Sequence, residues 1–285
     1  GGLMVSPAAC GAATAFPASP GYDALAETIA RHNVTTLFTA PTGYRALLKQ
    51  YDQRFTSLRT CVSAGEHLSR ATSDDWRDAS GIRLIDGIGA TEMINVFISA
   101  QGDDIRPGST GKPVPGYQAA ILDDDLNELP VGEAGRLAVR GPTGCRYLAD
   151  DRQANYVQSG WNITGDIFRR DKDGYFWFVS RADDMIITAG YNIAATEVES
   201  ALLLHPHVSE AAVVGVADAE RGQICKAFVV LSAGADPSDA TRSALQDFVK
   251  RAIAPYKYPR AIEFVAELPK THTGKLQRHK LREAL

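Results

Sequence analysis

Cysteine is scarce in this 285-residue chain, and no two cysteines stand at the spacing of a metal site. The chain has four, with no C-x-x-C pair and no histidine at ligand spacing beside them: Cys10, Cys61, Cys145 and Cys225. This pattern indicates neither a zinc site nor a disulfide-stapled secreted fold. Isolated thiols are typical of a reducing cytosol, so we expect a cytoplasmic protein.

Long apolar runs and an excess of positive charge are also missing. No uninterrupted apolar stretch approaches the roughly 18 residues of a transmembrane helix, and the N-terminal residues lack the positive segment of a signal peptide. Lysine and arginine number 30 against 34 aspartates and glutamates, which gives a formal net charge of −4. These features argue against a membrane protein and against a nucleic-acid-binding protein.

No nucleophile signature accompanies the six histidines, because no G-x-S-x-G serine stands beside them. The segment Gly108–Pro113 looks like a phosphate-binding P-loop but differs from one at an essential position. A P-loop lysine is followed by Ser or Thr at the start of a helix, whereas Lys112 is followed by Pro113. We therefore interpret this segment as turns and do not assign Lys112 to a nucleotide.

Residues 22 to 91 alternate helical and strand-like hydrophobic patterns. Such alternation predicts a parallel sheet with helices on its faces. With 45% hydrophobic residues the chain can bury a large core, and its length allows two domains. We expect functional loops after the strands that end near Ser63 and Asp86, because active loops of such sheets lie at the carboxyl ends of strands.

The pattern changes at about Ile105, where Gly and Pro turns separate short β segments, and again after Asp183. The middle region predicts a barrel-like β subdomain, and the last region predicts a small α+β unit. Thr196 with Glu199 three residues later predicts a capping box at the start of a helix. We therefore place the domains at 1–182, made of 1–104 and 105–182, and at 183–285.

The stretch Pro269–Arg278 places Lys275 in a Thr-Gly-Lys loop before a basic amphipathic segment. A lysine on a glycine-hinged loop can move into a site and leave it again. This suits a reaction in which a carboxylate attacks a phosphate, because the growing negative charge must be neutralised. An exposed turn with a solvated lysine is the ordinary alternative.

Four motifs occur in a fixed order along the chain. They are DGIGATE at Asp86–Glu92, WNITGD at Trp161–Asp166, the stretch Ser180–Ile193 followed by EVE at Glu197–Glu199, and the TGK loop. In this order they resemble the adenylate-forming superfamily of acyl-CoA synthetases, luciferases and peptide-synthetase adenylation domains. The resemblance runs from about Phe38 to the C-terminus. The strings DGIGATEM, RGPTGCRYL, AGYNIAATEVE and APYKYPRAIEFV are most similar to benzoate-CoA ligases, 2-aminobenzoate-CoA ligase in particular.

This resemblance implies an α/β fold plus a β subdomain, with a small α+β C-terminal domain, as in the C-terminal portion of the acyl-CoA synthetase-like fold. The family carries a Ser/Thr/Gly-rich phosphate loop upstream of these motifs, and no such loop occurs in this chain, which opens on Gly1. We therefore expect the chain to be the C-terminal portion of a longer enzyme.

The resemblance also implies a nucleotide site with one metal ligand. Glu92 would offer Mg²⁺ a hard oxygen ligand, and Thr91 would donate a hydrogen bond to phosphate. Asp86 would accept from the adenine amine, where many relatives have asparagine, and Ile88 would pack on the adenine face, where an aromatic residue is commoner. The full nucleotide set is Gly65, Glu66, Asp86, Gly87, Ile88, Gly89, Thr91, Asp166 and Arg181. A solvated carboxylate is the ordinary alternative for Glu92.

By the same resemblance Asp166 would hold both ribose hydroxyls, since a charged acceptor makes strong hydrogen bonds to a diol. A turn aspartate is its alternative. Arg181 would support the ribose or phosphate, or form a salt bridge at the domain junction. His67 and Gly89 would line the acyl pocket, and a solvent-facing loop histidine is equally compatible with the position of His67.

The resemblance assigns catalysis to Lys275, Glu92 and Thr91. Asp183 would be the hinge about which the small domain turns between two half-reactions, although a hydrophilic turn would have the same sequence. The residues implied at the coenzyme A site are Gly190, Tyr191, Arg221 and Tyr256. For Arg221 and Tyr256 a surface position without function is the alternative.

The function implied is an aromatic acid-CoA ligase that uses a small carboxylic acid, ATP, Mg²⁺ and coenzyme A. A medium-chain acyl-CoA synthetase, a carrier-loading adenylation domain and a non-catalytic binding module are the alternatives. The quaternary state is left open, with a homodimer as one option.

Overall fold

Helices and strands alternate through the first third of the chain, as the hydrophobic pattern predicts. The structure is a computed structural model that describes residues 5–19, 21–52, 55–271 and 276–283. Within this part the chain divides into two units, with the division between Phe178 and Val179. The division inferred from the sequence lies a few residues later, between Ala182 and Asp183.

The first unit opens with four helices and a five-stranded sheet. The helices are α1 (Val5–Ala9), α2 (Tyr22–His32), α3 (Pro41–Leu48) and α4 (Arg70–Ser80). The strands follow the order β1 (Thr36–Thr39), β2 (Thr60–Ala64), β3 (Ile85–Gly89), β4 (Val96–Ser99) and β5 (Lys112–Pro113). The first three are parallel, as predicted, and β4 and β5 add to them antiparallel. The short connection from β3 to β4 explains the reversal, because a parallel return needs a long crossover.

Local sequence signals fix the ends of these helices. Pro41 occupies the first turn of α3, where its missing N–H is not needed. Ser69 caps α4 by accepting from the backbone N–H of Thr72 at 3.2 Å. Asn33 ends α2 in the left-handed conformation.

The core beneath this sheet centres on the aromatic residues of α3 and α4. The rings of Tyr44 and Trp76 meet edge-on with centroids 4.8 Å apart, and both side chains are fully buried. The Tyr44 hydroxyl donates to the carbonyl of Val62 at 2.9 Å, which joins α3 to β2. Burial raises the pKa of the Cys61 thiol to about 12, so this thiol stays protonated and unreactive.

A second, antiparallel sheet forms the β subdomain. Its strands run in the order β10, β9, β7, β6, with β8 paired to β9. Their bounds are β6 (Gln118–Leu122), β7 (Ala134–Arg140), β8 (Val157–Gln158), β9 (Trp161–Arg170) and β10 (Phe176–Arg181), and the short helix α5 (Arg152–Tyr156) precedes β8. This order is linear, whereas the sequence pattern suggested a barrel-like unit. Phe97, Phe168 and Phe176 lie in the core shared by the two sheets.

The second unit is an α+β domain built on a third sheet. Its strand order is β12, β11, β14, β13, and β15 pairs parallel to β14. The strands are β11 (Met185–Thr188), β12 (Tyr191–Ala194), β13 (Val208–Asp218), β14 (Gly222–Leu231) and β15 (Ala261–Phe264), and the helices are α6 (Ala195–Leu203), α7 (Asp239–Ala252) and α8 (Arg278–Glu283). Val198, Leu202 and Leu245 pack into the main core of this unit.

The capping box predicted at Thr196 and Glu199 is wrong. Helix α6 begins one residue earlier, after Ala194, and no side chain caps it. The Thr196 hydroxyl donates to the carbonyl of Val179 at 2.6 Å. Glu199 instead accepts from the backbone N–H of Val213 and from Arg278. Tertiary partners therefore take both side chains away from the helix end.

Among the helices of the described residues, none has the length and apolar character needed to cross a membrane.

Candidate active site

Two loops of the first unit leave its sheet at the same edge. Strands β2 and β3 are parallel neighbours, with Ser63 beside Asp86 and Ala64 beside Gly87. The segment 65–67 follows β2 and the segment 90–92 follows β3. Carboxyl ends of parallel strands are where such sheets bind ligands, so the structure brings these two predicted segments together.

The glycine-rich part of the DGIGATE motif is strand rather than loop. Gly87, Ile88 and Gly89 belong to β3, because they pair with β4. A Cβ on Gly89 would lie 2.6 Å from the carbonyl oxygen of Asn95, so close backbone approach requires glycine there. Ile88 packs against the core shared by the two sheets. The loop proper begins at Ala90.

This loop also holds a strained residue. Ile94 has a φ of +66°, which is costly for a β-branched side chain. Backbone hydrogen bonds keep the turn in place, from Met93 N to Ala90 O and from Ile94 N to Thr91 O, both at 3.1 Å. The strained residue lies two positions after Glu92, within the turn that these two hydrogen bonds close.

Glu92 is positioned by a distant tyrosine. The Tyr147 hydroxyl donates to Glu92 Oε1 at 2.5 Å, and this hydrogen bond raises the pKa of Tyr147. The guanidinium of Arg152 lies 4.6 Å from the centroid of the Tyr147 ring, and Tyr156 meets that ring edge-on at 5.9 Å. The hydrogen bond from Tyr147 therefore fixes Oε1 of Glu92 and does not use Oε2, the oxygen that could act as a ligand.

A cavity of about 480 Å³ lies beside this tyrosine. Its lining residues are Arg146, Tyr147, Leu148, Ala149, Asp150 and Gln153.

A Mg²⁺ ion at Glu92 fits the donor set only if a substrate supplies the other ligands. Within the described residues no group of three or more His, Cys, Asp or Glu side chains could hold a metal. Mg²⁺ is commonly bound by one or two carboxylates together with substrate phosphates and water. One carboxylate with a fixed orientation meets this requirement.

Asp86 is the most perturbed carboxyl group in this region. Burial raises its pKa to about 7, while hydrogen bonds from the backbone of Gly87 and the side chain of Thr110 lower it. Near neutral pH it can therefore accept a hydrogen bond as a carboxylate or donate one as an acid.

Glu66 fastens the loop after β2 to a helix. Its Oε2 accepts from the Thr42 hydroxyl at 2.7 Å and from the Thr42 backbone N–H at 3.4 Å. Thr42 lies in the first turn of α3, where a carboxylate is favoured by the helix dipole. Gly65 precedes it with a φ of +94°, a conformation that favours glycine. The next residue, His67, stacks on Phe178 at 5.1 Å.

Asp166 lies on the second sheet, in β9, and its side chain is buried. Its backbone N–H donates to the Thr164 hydroxyl at 3.2 Å, and that hydroxyl donates to the carbonyl of Leu137 at 3.2 Å. Gly165 between them has a φ of +75°. The carboxylate of Asp166 is therefore positioned by a bulge-like turn within the strand and not by a loop that follows the strand.

In the second unit the predicted hinge begins with an exposed ion pair. Arg181 Nε lies 3.6 Å from Asp183 Oδ1, and both side chains are largely exposed. The neighbouring Asp184 is buried. The two adjacent aspartates therefore have different environments, which the sequence does not distinguish.

The four residues predicted for coenzyme A surround one turn of the second unit. Ala189 and Gly190 form the two-residue loop between β11 and β12, with φ values of +48° and +81°, as in the primed turns of hairpins. The rings of Tyr191 and Tyr256 are 4.8 Å apart, and both are exposed. The carbonyl of Arg221 accepts from Ala189 N at 2.8 Å. An aromatic pair and a cation thus lie near a turn with a bare backbone.

Lys275 lies outside the described residues. The described residues on either side of it come together, since Lys270 and Leu276 form an antiparallel bridge. Gln277 N donates to Pro269 O at 2.8 Å, and Lys270 Nζ lies 2.5 Å from Glu210 Oε2. The described residues on either side, Lys270 and Leu276, are therefore paired side by side in the second unit.

Several partners of these residues were not predicted from the sequence. Tyr147 is 55 positions from Glu92, and Arg278 is 79 positions from Glu199. Tyr147 lies in the RGPTGCRYL string, one of the strings on which the family resemblance rests. Its place in that string was the signal in the sequence that could have pointed to this residue. Thr42 and Thr110 gave none, because single threonines in turns and helix starts are common.

Comparison with known proteins identifies the family of this chain. The model of the AMP-binding enzyme family matches residues 2–147, and the model of the AMP-binding enzyme C-terminal domain matches residues 197–275. An anthranilate CoA ligase, AuaEII, solved with anthranoyl-AMP, is 42% identical, with a TM-score of 0.92 over 100% of this chain and 55% of that chain. A benzoate CoA ligase from Burkholderia xenovorans LB400 is 36% identical, with a TM-score of 0.87 over 97% of this chain and 57% of that chain.

Among curated proteins, the Homo sapiens mitochondrial acyl-coenzyme A synthetase ACSM4 is 44% identical over 92% of this chain and 47% of its own length. The chain therefore belongs to the AMP-binding enzyme family and has the fold of its adenylate-forming, acyl-CoA synthetase-like members. It spans about half the length of the curated relatives it matches.

Proposed function

We propose that the chain is part of an AMP-forming acid-CoA ligase. In the first half-reaction a substrate carboxylate attacks the α-phosphate of ATP, a C(O)O–P bond forms, and pyrophosphate leaves. In the second, the thiol of coenzyme A loses its proton and attacks the acyl carbon, and AMP leaves with the electrons of the broken C–O bond. The products are a thioester, AMP and pyrophosphate.

One observation carries this proposal. The segment that contains Glu66 and the segment that contains Glu92 both leave the sheet at the carboxyl ends of the neighbouring strands β2 and β3. A nucleotide bound there would contact Thr91 with a phosphate and Asp86 with its base. Mg²⁺, when bound, would neutralise phosphate charge. Glu92 would hold this ion with the carboxylate oxygen that Tyr147 leaves free. Asp166 would bind the ribose hydroxyls, and Lys275 would stabilise the charge that develops between carboxylate and phosphate.

The second half-reaction needs a path for the pantetheine arm. The turn at Gly190 offers bare backbone, since no atom of the described residues lies within 4 Å of a Cβ built there. Tyr191 and Tyr256 can stack on the adenine of coenzyme A, and Arg221 can pair with its phosphates.

We further propose that the acid is a planar aromatic acid of the benzoate or 2-aminobenzoate type. The similarity to an anthranilate ligase over the whole chain supports this choice, as do the strings around residues 86–93 and 141–148. A medium-chain saturated acid is the second candidate, and the 44% identity to acyl-coenzyme A synthetases favours it.

An acid panel with the full-length protein tests both. Thioester and AMP formation are measured with benzoate, 2-aminobenzoate, hexanoate and octanoate, with and without coenzyme A. We expect kcat/KM to be highest for an aromatic acid and AMP release to require coenzyme A. A higher value on hexanoate or octanoate than on both benzoates would assign the protein to the medium-chain group. Transfer to a carrier protein instead of coenzyme A would identify a carrier-loading domain.

A further inference from the structure

A buried ionic network ties together four segments of the second unit. Arg278 at the start of α8 reaches two carboxylates: its Nη2 lies 2.7 Å from Glu199 Oε2, and its Nη1 lies 3.2 Å from Asp184 Oδ2. Arg282, one turn later, lies 2.9 Å from Asp184 Oδ1. Glu199 also accepts from the backbone N–H of Val213 at 2.8 Å. We call these four side chains, Arg278, Arg282, Asp184 and Glu199, the Arg278 network.

The network is shielded from water at its centre. The side chain of Arg278 is 18% exposed, that of Asp184 9% and that of Glu199 10%. Burying these charges is expensive, and apolar residues of similar volume would often give equal stability. A planar guanidinium that must satisfy two carboxylates accepts only a narrow range of geometries. The network therefore fixes the relative positions of these side chains more than it raises the free energy of unfolding.

The segments that the network joins are those next to the two residues proposed to control the reaction. Asp184 directly follows Asp183, the proposed hinge, and Arg278 stands three residues after Lys275. The other end of the lysine loop is also fixed, by the Lys270–Glu210 ion pair at 2.5 Å. Both ends of the loop are thus attached to the same unit.

We propose that Arg278 is a positioning residue that fastens the segment following Lys275, residues 276–283, to the hinge segment, so that the two segments keep one fixed arrangement. The proposal rests on the function proposed above for Lys275 and Asp183. Arg278 itself contacts no substrate. It acts by limiting where the segment that leads to Lys275 can lie relative to the segment that begins at Asp183.

The first test uses the 285-residue chain and measures amide hydrogen exchange by mass spectrometry. Arg278→Lys keeps a positive charge but lacks the planar, forked guanidinium whose two Nη atoms reach the two carboxylates here. Exchange should rise at least about tenfold at residues 182–185 and at 276–283 together, because a charge-assisted hydrogen bond is lost. Lys226→Gln removes another ion pair of this unit, to Glu263 at 2.8 Å, and should leave both segments unchanged. Faster exchange at 276–283 alone would overturn the coupling.

The second test is a double-mutant cycle in the full-length protein. Arg278→Lys should lower the rate of acyl-adenylate formation about tenfold or more in the wild-type background. In a Lys275→Ala background the same substitution should lower it by less than about threefold, because Arg278 acts through Lys275. An equal loss in both backgrounds would mean that Arg278 only supports folding, and would overturn the proposal. If Arg278→Lys does not fold, Glu199→Gln replaces it, since an amide oxygen can still accept from Val213. Absence of adenylate formation by the wild type would refute the proposed function, whereas the exchange result would still report on the network.

Discussion

The pKa of Asp86 lies well above that of an ordinary aspartate, because burial raises it to about 7. An unfolded chain releases this proton near the ordinary value of 3.8. Between these two values the folded state therefore binds more protons, and the free energy of unfolding contributed by this group falls as pH rises.

We expect Asp86→Asn to remove this dependence in the 285-residue chain. Thermal melts of the wild type and the variant should show the wild type losing stability relative to the variant between pH 5 and pH 8, by at most about 1.4 kcal/mol per pH unit. Asp75→Asn, on the exposed face of α4, is the control for loss of one charge. A stability difference that does not change with pH would contradict the buried, raised carboxyl.

Tyr147 offers a second prediction at the scale of single residues. Tyr147→Phe removes the hydrogen bond that fixes Glu92, so in the full-length protein the Mg²⁺ concentration for half-maximal adenylation should rise several-fold. The control is Tyr156→Phe, since the hydroxyl of Tyr156 is buried without a hydrogen-bond partner in the structure and its loss should be neutral. An unchanged Mg²⁺ dependence in Tyr147→Phe would argue that the tyrosine does not orient the metal ligand.

At the scale of elements, the Thr188–Tyr191 turn and the lysine loop should serve different half-reactions. Lys275→Ala removes the cation that we propose stabilises the developing charge, so adenylation should fall by the ~10²–10³ typical of losing one electrostatic donor. Thioester formation from supplied acyl-adenylate should fall far less. Pre-steady-state assays of each half-reaction in the full-length protein measure both values.

Gly190→Leu should do the reverse, because it places a side chain where we propose that the pantetheine arm passes. Any residue other than glycine is strained at a φ of +81°. Gly190→Ala is therefore the matched control, since it has the same strain without the reach of leucine. Equal damage to both half-reactions by Gly190→Leu and by Lys275→Ala would show that the assignment of two separate roles is wrong.

For the whole molecule, the prediction concerns the 285-residue chain by itself. We expect it to make no thioester and to bind ATP weakly, because Glu92 and Asp166 can hold only part of a nucleotide. Calorimetry with MgATP, and an AMP-release assay with benzoate and coenzyme A, test this. Strong AMP release by this chain would refute the expectation that it holds only part of the nucleotide.

Much of the fold could be predicted because its signals are local. The helix at 22–32, the start of α3 at Pro41 and the presence of two strands near Ser63 and Asp86 follow from hydrophobic period and turn residues within a few positions. The motifs Asp86–Glu92 and Trp161–Asp166 are equally local, and they sufficed for the family. Errors arose where a tertiary partner competed with a local signal, as at Glu199, which binds Arg278 instead of completing a capping box.

The sequence by itself therefore determined the family, the order of elements and the residues worth testing. Only the tertiary structure decided what holds those residues in place: Tyr147 on Glu92, Thr42 on Glu66 and Arg278 on Asp184. A helix or a turn is specified by neighbours three or four residues apart, whose pattern is visible in the chain. Partners separated by 24 to 94 positions are selected by packing of whole elements, and no spacing rule in the sequence records that choice.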